Sequence, residues 1–152
     1  MRAGIRDILI VSTPRDLPML RLLLGDGSAF GTTLTDAEQT RPEGWSRAFL
    51  IGERFLDGGP CAMIPGVNIF HGEDLANPCR AAVATAEAGG ATVFAYLVDD
   101  PACYGVASFD RASGNAVTIE EKPAAPQSRW ALTGLYLCDS TAVEIAYGLA
   151  PS

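Results

Sequence analysis

Histidine occurs once, as His71, and the four cysteines at 61, 79, 103 and 138 form no C-x-x-C pair. Zinc sites are built from clustered thiolates and imidazoles, so a structural or catalytic zinc centre is not expected. The wide thiol spacing reads instead as buried free cysteines in a reducing cytoplasm. Cations are also scarce. Eleven Lys and Arg face eighteen Asp and Glu, a net charge of −7, with a pI near 4.5. A protein that tracks a nucleic-acid backbone needs a basic face, so that class of partner is not expected. A small phosphorylated ligand needs only one or two local cations and stays open. Long apolar runs are missing too. The first, Ile8 to Val11, is too short for a signal-peptide core or a membrane span, so no membrane partner is expected. Finally, no G-x-G-x-x-G occurs. The stretch Gly25 to Gly31 reads G-x-G-x-x-x-G and follows a helical pattern. It is therefore taken as a helix-ending loop and not as a dinucleotide fingerprint.

What remains is a globular composition, 48% hydrophobic and 19% charged over 152 residues. That length suits one domain with a core, 1–152. No internal repeat or low-complexity tract is present. Strand and helix patterns alternate. Asp7 to Ser12 reads as a strand, and a helix follows with Asp16 as cap and Pro18 in its first turn, running to Leu24. Thr33 to Ala37 reads as a short strand. Trp45, Ala48, Phe49 and Gly52 recur at helical spacing, predicting one amphipathic helix over Glu43 to Leu56 with Trp45 on its core face. Cys61 to Ile64 reads as a buried strand. Asn77-Pro78 predicts a helix start, with Asn77 as N-cap and Pro78 at N1, and Gly89-Gly90 its end. Ala91 to Val98 is a strand pattern. Val106 to Asp110 and Ala116 to Glu121 flank a Ser113-Gly114-Asn115 turn, a hairpin signal. Thr133 to Cys138 is a last strand, and Thr141 with Glu144 predicts a capping box. Such alternation implies an α/β fold with a mixed, mainly parallel sheet and helices on both faces. Both ends of the sequence read as internal to a longer α/β protein. A sheet neighbour left unpaired in that way is expected to aggregate.

Candidate chemistry gathers at strand tips, where ligands of open α/β sheets bind. One tip is Gly66-Val67-Asn68. In Glu120-Glu121-Lys122-Pro123, alternation lets only one glutamate face the ligand side. A glutamate there can accept sugar hydroxyls, and the adjoining lysine can act as a point charge on phosphate. Gly105, after Tyr104, admits close approach of a ligand to the backbone. Gly134 sits inside a strand and reads as a bulge.

In order and spacing, these runs resemble the bacterial glucose-1-phosphate thymidylyltransferases, a group of sugar nucleotidyltransferases. The matching runs are I-R-D-I-L-I-V-S-T-P (5–14), L-L-G-D-G-S (23–28), G-V-N-I-F-H-G (66–72), A-T-V-F-A-Y (91–96), D-P-A-C-Y-G-V (100–106), E-E-K-P (120–123) and T-G-L-Y-L-C-D (133–139). The resemblance implies a Rossmann-like nucleotidyltransferase fold, truncated here at both ends. It implies a magnesium-dependent transfer of a thymidylyl group from dTTP to glucose-1-phosphate, giving dTDP-glucose and pyrophosphate. In that group the product feeds dTDP-rhamnose and related sugars, and the enzymes are cytoplasmic homo-oligomers. It also implies site residues. Gln39 matches the glutamine that reads thymine, and Gly44 the glycine whose backbone lies against the base. Tyr104 and Gly105 match residues around glucose. Glu121 matches the glutamate on sugar hydroxyls, Lys122 the catalytic lysine on the sugar phosphate, and Leu132 a valine lining the sugar pocket.

The departures from this pattern are chemical. Where the group carries G-D-N, with the aspartate on magnesium, this sequence has Gly66-Val67-Asn68. Valine offers neither ligand nor charge. Trp45-Ser46-Arg47 stands where Leu-Ala-Gln is usual. The G-G-x-G-T-R phosphate loop, the distal metal aspartate and the C-terminal helices of oligomer contacts have no counterpart in these 152 residues. The sequence thus predicts a piece of a thymidylyltransferase that is inactive alone. The alternative is a non-catalytic module that binds a sugar nucleotide.

Overall fold

The computed structural model describes residues 3–41, 43–66, 68–71 and 74–149. They form two compact units woven from non-contiguous segments. The first comprises 1–61, 71–90 and 138–152, and the second 62–70 and 91–137.

In the first unit, β1 (Asp7–Ser12) pairs in parallel with β2 (Thr33–Glu38), from Asp7 opposite Thr33 to Ser12 opposite Glu38. Parallel strands need a crossover, supplied by α1 (Leu17–Leu24). Leu17 is fully buried at its start, and Arg21 near its end forms a two-point ion pair with Asp36 of β2. The position of the Asp16 cap is as expected. Its side chain, however, accepts the Thr13 hydroxyl at 2.7 Å and does not cap the helix. Gly27 has φ +84°, and a Cβ there would fall 2.6 Å from Leu34 and 2.8 Å from the Thr32 carbonyl, so this loop accepts only glycine. As expected, the glycine-rich stretch ends a helix and leads into one 3-10 turn, Ser28–Phe30.

The single helix expected over 43–56 is two shorter ones, α2 (Ser46–Ile51) and α3 (Glu53–Leu56), separated at Gly52. A Cβ at Gly52 would meet the Ala48 carbonyl at 3.1 Å and Leu9 at 3.3 Å, so the backbone packs closely at the break. Trp45 precedes α2 and is 55% exposed, which overturns its core assignment. Helix α4 (Ala76–Glu87) starts two residues earlier than Asn77-Pro78 predicts, with Leu75 as its cap residue. The Asn77 amide instead donates to Asp74 at 3.0 Å. Ala82 and Ala86 of α4 are buried, as their spacing requires. Helix α5 (Ala142–Tyr147) begins after Thr141, but no capping box forms, because Asp139 takes the Thr141 hydroxyl and amide.

The second unit holds a five-stranded sheet in the order β3-β7-β5-β6, with β4 also on β7. The strands are β3 (Cys61–Met63), β4 (Thr92–Leu97), β5 (Gly105–Phe109), β6 (Ala116–Glu121) and β7 (Trp130–Cys138). The α/β class and the mixed character of the sheet are as expected. β4–β7, β5–β6 and β5–β7 all run antiparallel, because the β5–β6 hairpin and β7 reverse the chain direction locally. β7 is also three residues longer than predicted. Its Ala131, Leu135 and Leu137 are buried, as are Val106 and Ala107 of β5.

Candidate functional site

The first unit places the base-side candidates at the carboxyl ends of its parallel strands. The Gln39 amide donates to the Ser12 carbonyl at 2.8 Å, extending the β1–β2 ladder by one residue. Gln39 is therefore held just past the strand tip, where open α/β sheets take ligands. Gly44, between β2 and α2, has φ +81°, a conformation that favours glycine.

The second unit assembles the sugar-side candidates. The β5–β6 register sets Gly105 opposite Glu121, and the Lys122 amide donates to the Tyr104 carbonyl at 3.0 Å. A Cβ on Gly105 would lie 3.2 Å from both the Glu121 carboxylate and the Leu132 side chain. Glycine at 105 thus keeps a gap between an acceptor and an apolar wall. Lys122 has φ +44°, one of two described non-glycine residues in the left-handed region, and it precedes Pro123. A residue before proline prefers extended backbone, so this turn is strained. It brings the Lys122 ammonium to 3.5 Å from the Glu121 carboxylate, with both side chains largely exposed. The sequence-predicted Tyr104, Gly105, Glu121, Lys122 and Leu132 are therefore brought together at one end of the sheet.

Tyr136 was not among the candidates. Burial raises its phenol pKa, and the nearby negative charge of Glu121 raises it further. A protonated phenol near the carboxylate adds one hydrogen-bond donor to this region. The only signal in the sequence was its place in T-G-L-Y, two residues beyond Gly134. At that bulge Gly134 has φ +74°, and a Cβ would collide with the Asn68 amide and lie 3.2 Å from Pro65. Asn68 donates to the Thr133 carbonyl at 2.7 Å, and the Thr133 hydroxyl donates to the Phe94 carbonyl at 2.9 Å. The bulge therefore fixes the strand tip that carries Asn68.

Val67 itself lies outside the described residues. Magnesium prefers carboxylate oxygens. Valine has none, and no group of three or more His, Cys, Asp or Glu that could hold a metal occurs among the described residues. Position 67 therefore offers no ligand to a magnesium ion. His71 is exposed, as a loop histidine would be. The cysteine expectation holds only in part, since Cys103 is exposed while Cys61, Cys79 and Cys138 are partly buried.

The nucleotidyl transferase family model matches residues 1–152. The chain belongs to that family. Among its curated nucleotidyl transferase relatives, glucose-1-phosphate thymidylyltransferase of Neisseria gonorrhoeae is 49% identical over all 152 residues, which cover 52% of that protein. The enzyme of the same name from Mycolicibacterium smegmatis is 47% identical over 99% of this chain and 51% of its own length. The chain thus spans about half the length of the curated relatives it matches. A structure from Bacillus anthracis, named for glucose-1-phosphate thymidylyltransferase and solved with sucrose, superposes with a TM-score of 0.87 at 32% identity. That match covers 99% of this chain and 59% of the other. A UDP-glucose pyrophosphorylase with UDP-glucose, at 19% identity and TM-score 0.79, shares the fold. The nucleotidyltransferase fold expected from the sequence is therefore present. No described helix is long and apolar enough to cross a membrane.

Proposed function

We propose that this chain supplies the base- and sugar-recognition part of a glucose-1-phosphate thymidylyltransferase, and that these 152 residues alone do not turn over. The supporting observation is the sugar-side cluster, in which Gly105 leaves room between Glu121 and Leu132 and the strained Lys122 adjoins them. Glu121 accepts hydroxyls of glucose-1-phosphate. Lys122 neutralises its phosphate as a point charge. Tyr104 and Leu132 border the ring, and Gln39 with Gly44 takes the thymine of dTTP. Transfer of this kind rests on positioning and charge neutralisation. The chain lacks a magnesium carboxylate at position 67. Homo-oligomeric assembly, a cytoplasmic setting and a role in dTDP-rhamnose supply belong to the same proposal.

The test is pyrophosphate release from dTTP and glucose-1-phosphate. A rate equal to the buffer blank is expected, and turnover above it overturns the claim of inactivity. Valine at 67 favours a second reading, a non-catalytic sugar-nucleotide-binding module. Calorimetric titration with dTDP-glucose separates the two. Binding without turnover supports the module, and neither binding nor turnover supports the incomplete enzyme.

A further inference from the structure

Two cysteines stand at the ends of neighbouring strands. β3 begins at Cys61, β7 ends at Cys138, and the two strands are adjacent in the sheet. Their relative direction follows from contacts further along. Asn68, past the carboxyl end of β3, donates to the Thr133 carbonyl of β7. A Cβ on Gly134 would lie 3.2 Å from the Pro65 ring. Pro65 is four residues after Cys61, and Gly134 is four before Cys138. Equal steps in opposite senses keep residues opposed in an antiparallel pair, which sets Cys61 across from Cys138. The charge of Cys138 also reaches the Cys61 thiol, an independent sign that the two sulfurs are close. Directly opposed residues share a face, with Cα atoms about 4.5–5.5 Å apart. A disulfide spans Cα separations of about 4.4–6.8 Å. Both thiols are free and partly buried.

We propose that Cys61 and Cys138 form a dithiol that closes to one intramolecular disulfide when the surrounding glutathione is oxidised. One thiolate attacks oxidised glutathione, breaking its S–S bond and releasing one glutathione. The other cysteine then attacks the mixed disulfide and releases the second. The two cysteine sulfurs are oxidised, glutathione is reduced, and the two thiol protons leave with it. In a reducing cytoplasm the pair stays open. Burial keeps both thiols protonated near neutral pH, so closure is slow there and quickens as the pH rises. The position of equilibrium is a separate matter, set by how the fold places the two sulfurs. The bridge closes the loop from 61 to 138, and long loops lose the most freedom in the unfolded chain. It pins β3 to β7, the strand on which Asn68 is anchored.

Cys79→Ser combined with Cys103→Ser leaves only this pair. That variant is equilibrated with oxidised and reduced glutathione at about pH 8.5, near the ordinary thiol pKa. Mass spectrometry should then find a chain lighter by two hydrogens that resists alkylation until it is reduced. The closure constant, read from the glutathione ratio at half-conversion, should be at least about tenfold larger in native buffer than in urea. By the same linkage the oxidised form should have the higher urea midpoint, and reduction should remove the gain. In the unsubstituted chain, peptic digestion at acid pH should recover the bridge between 61 and 138. Two glutathione adducts without a bridge overturn the proposal, as do two unreacted thiols. So does closure no better than in urea, an oxidised form with the lower midpoint, or a bridge through Cys79 or Cys103 in place of this one.

Discussion

Single residues carry unequal weight here, and two glycines show why. At Gly134 the left-handed backbone and the crowding by Asn68 and Pro65 coincide. Gly134→Ala is therefore expected to cost about 2 kcal/mol, read as a lower urea midpoint at unchanged slope. Asn68→Ala removes one partly buried hydrogen bond and should cost about 1 kcal/mol. A fall for Asn68→Ala as large as that for Gly134→Ala would contradict this ranking. Thiol chemistry offers a second residue-scale test. Burial pushes the Cys61 thiol up to about 11, with Cys138 and Asp139 adding to the effect, and burial raises Cys138 as well. The thiolate is the reactive species. Iodoacetamide near neutral pH should therefore modify exposed Cys103 first, with Cys61 and Cys138 lagging by an order of magnitude or more. Peptide mass spectrometry after timed quenching checks the order, and faster labelling of Cys61 than of Cys103 would refute it. At this scale the sequence was most legible where a residue's chemistry is local. The closeness of Glu121, Lys122 and Gly105 was legible in that way. Tyr136 was not, because its link to Glu121 joins β7 to β6 across the sheet.

Elements were legible in kind and less so at their ends. The hairpin is the clearest case. Its flanking β patterns and Ser113-Gly114-Asn115 predicted β5 and β6 within a residue. The turn is closed by Asp110, which accepts from the Ser113 hydroxyl and the Ser113 and Ala112 amides. Helix caps fared worse for a physical reason. A capping side chain has several partners within reach: Asp16 and Thr141 each found one outside their own helix, and Asn77 lies inside α4 with its oxygen accepting from Arg80. The helix over 43–56 failed because periodicity alone does not register a close backbone approach such as that at Gly52. The strand order was not legible, because strand pairing depends on which strands meet, and this lies beyond any local pattern. Two of these turns contribute to the acid response, alongside Asp26 and the Arg21-paired Asp36. Hydrogen bonds from Ser113 and Ala112 hold Asp110 below its ordinary 3.8, and those from Thr141 do the same for Asp139. A carboxylate with a depressed folded-state pKa adds stability above its unfolded value. That contribution is lost as the pH falls through the folded one. The melting temperature should therefore drop as the pH is lowered below about 4. Replacing Ser113 and Thr141 together by alanine should lower the midpoint at pH 6 and flatten that drop. An unchanged acid slope in the double variant would rule these turns out as contributors.

For the whole molecule, the decisive feature is how the chain is threaded. It crosses between units near residues 61, 70, 90 and 137. Neither unit is a continuous stretch. Consider a single cut at 89–91, between α4 and β4. The amino-terminal piece keeps 1–61 and 71–90 of the first unit, and also 62–70 of the second. The carboxyl-terminal piece keeps 91–137 of the second unit and also 138–152 of the first. Each unit then needs both pieces. In the first, Tyr147 of α5 donates to Glu53 of α3 at 2.8 Å. In the second, Asn68 donates to the Thr133 carbonyl, and β3 pairs with β7. A chain carrying a protease site inserted at Gly89-Gly90 should therefore be nicked without coming apart. It should elute at its uncut volume in native buffer, and it should resolve into two peptides only in urea. Separation of the pieces in native buffer would mean that the contacts inside each unit are too weak to hold its segments. The aggregation expected from the sequence would then follow from loss of those segments, since α5 and the 62–70 strand tip are what each piece would leave behind.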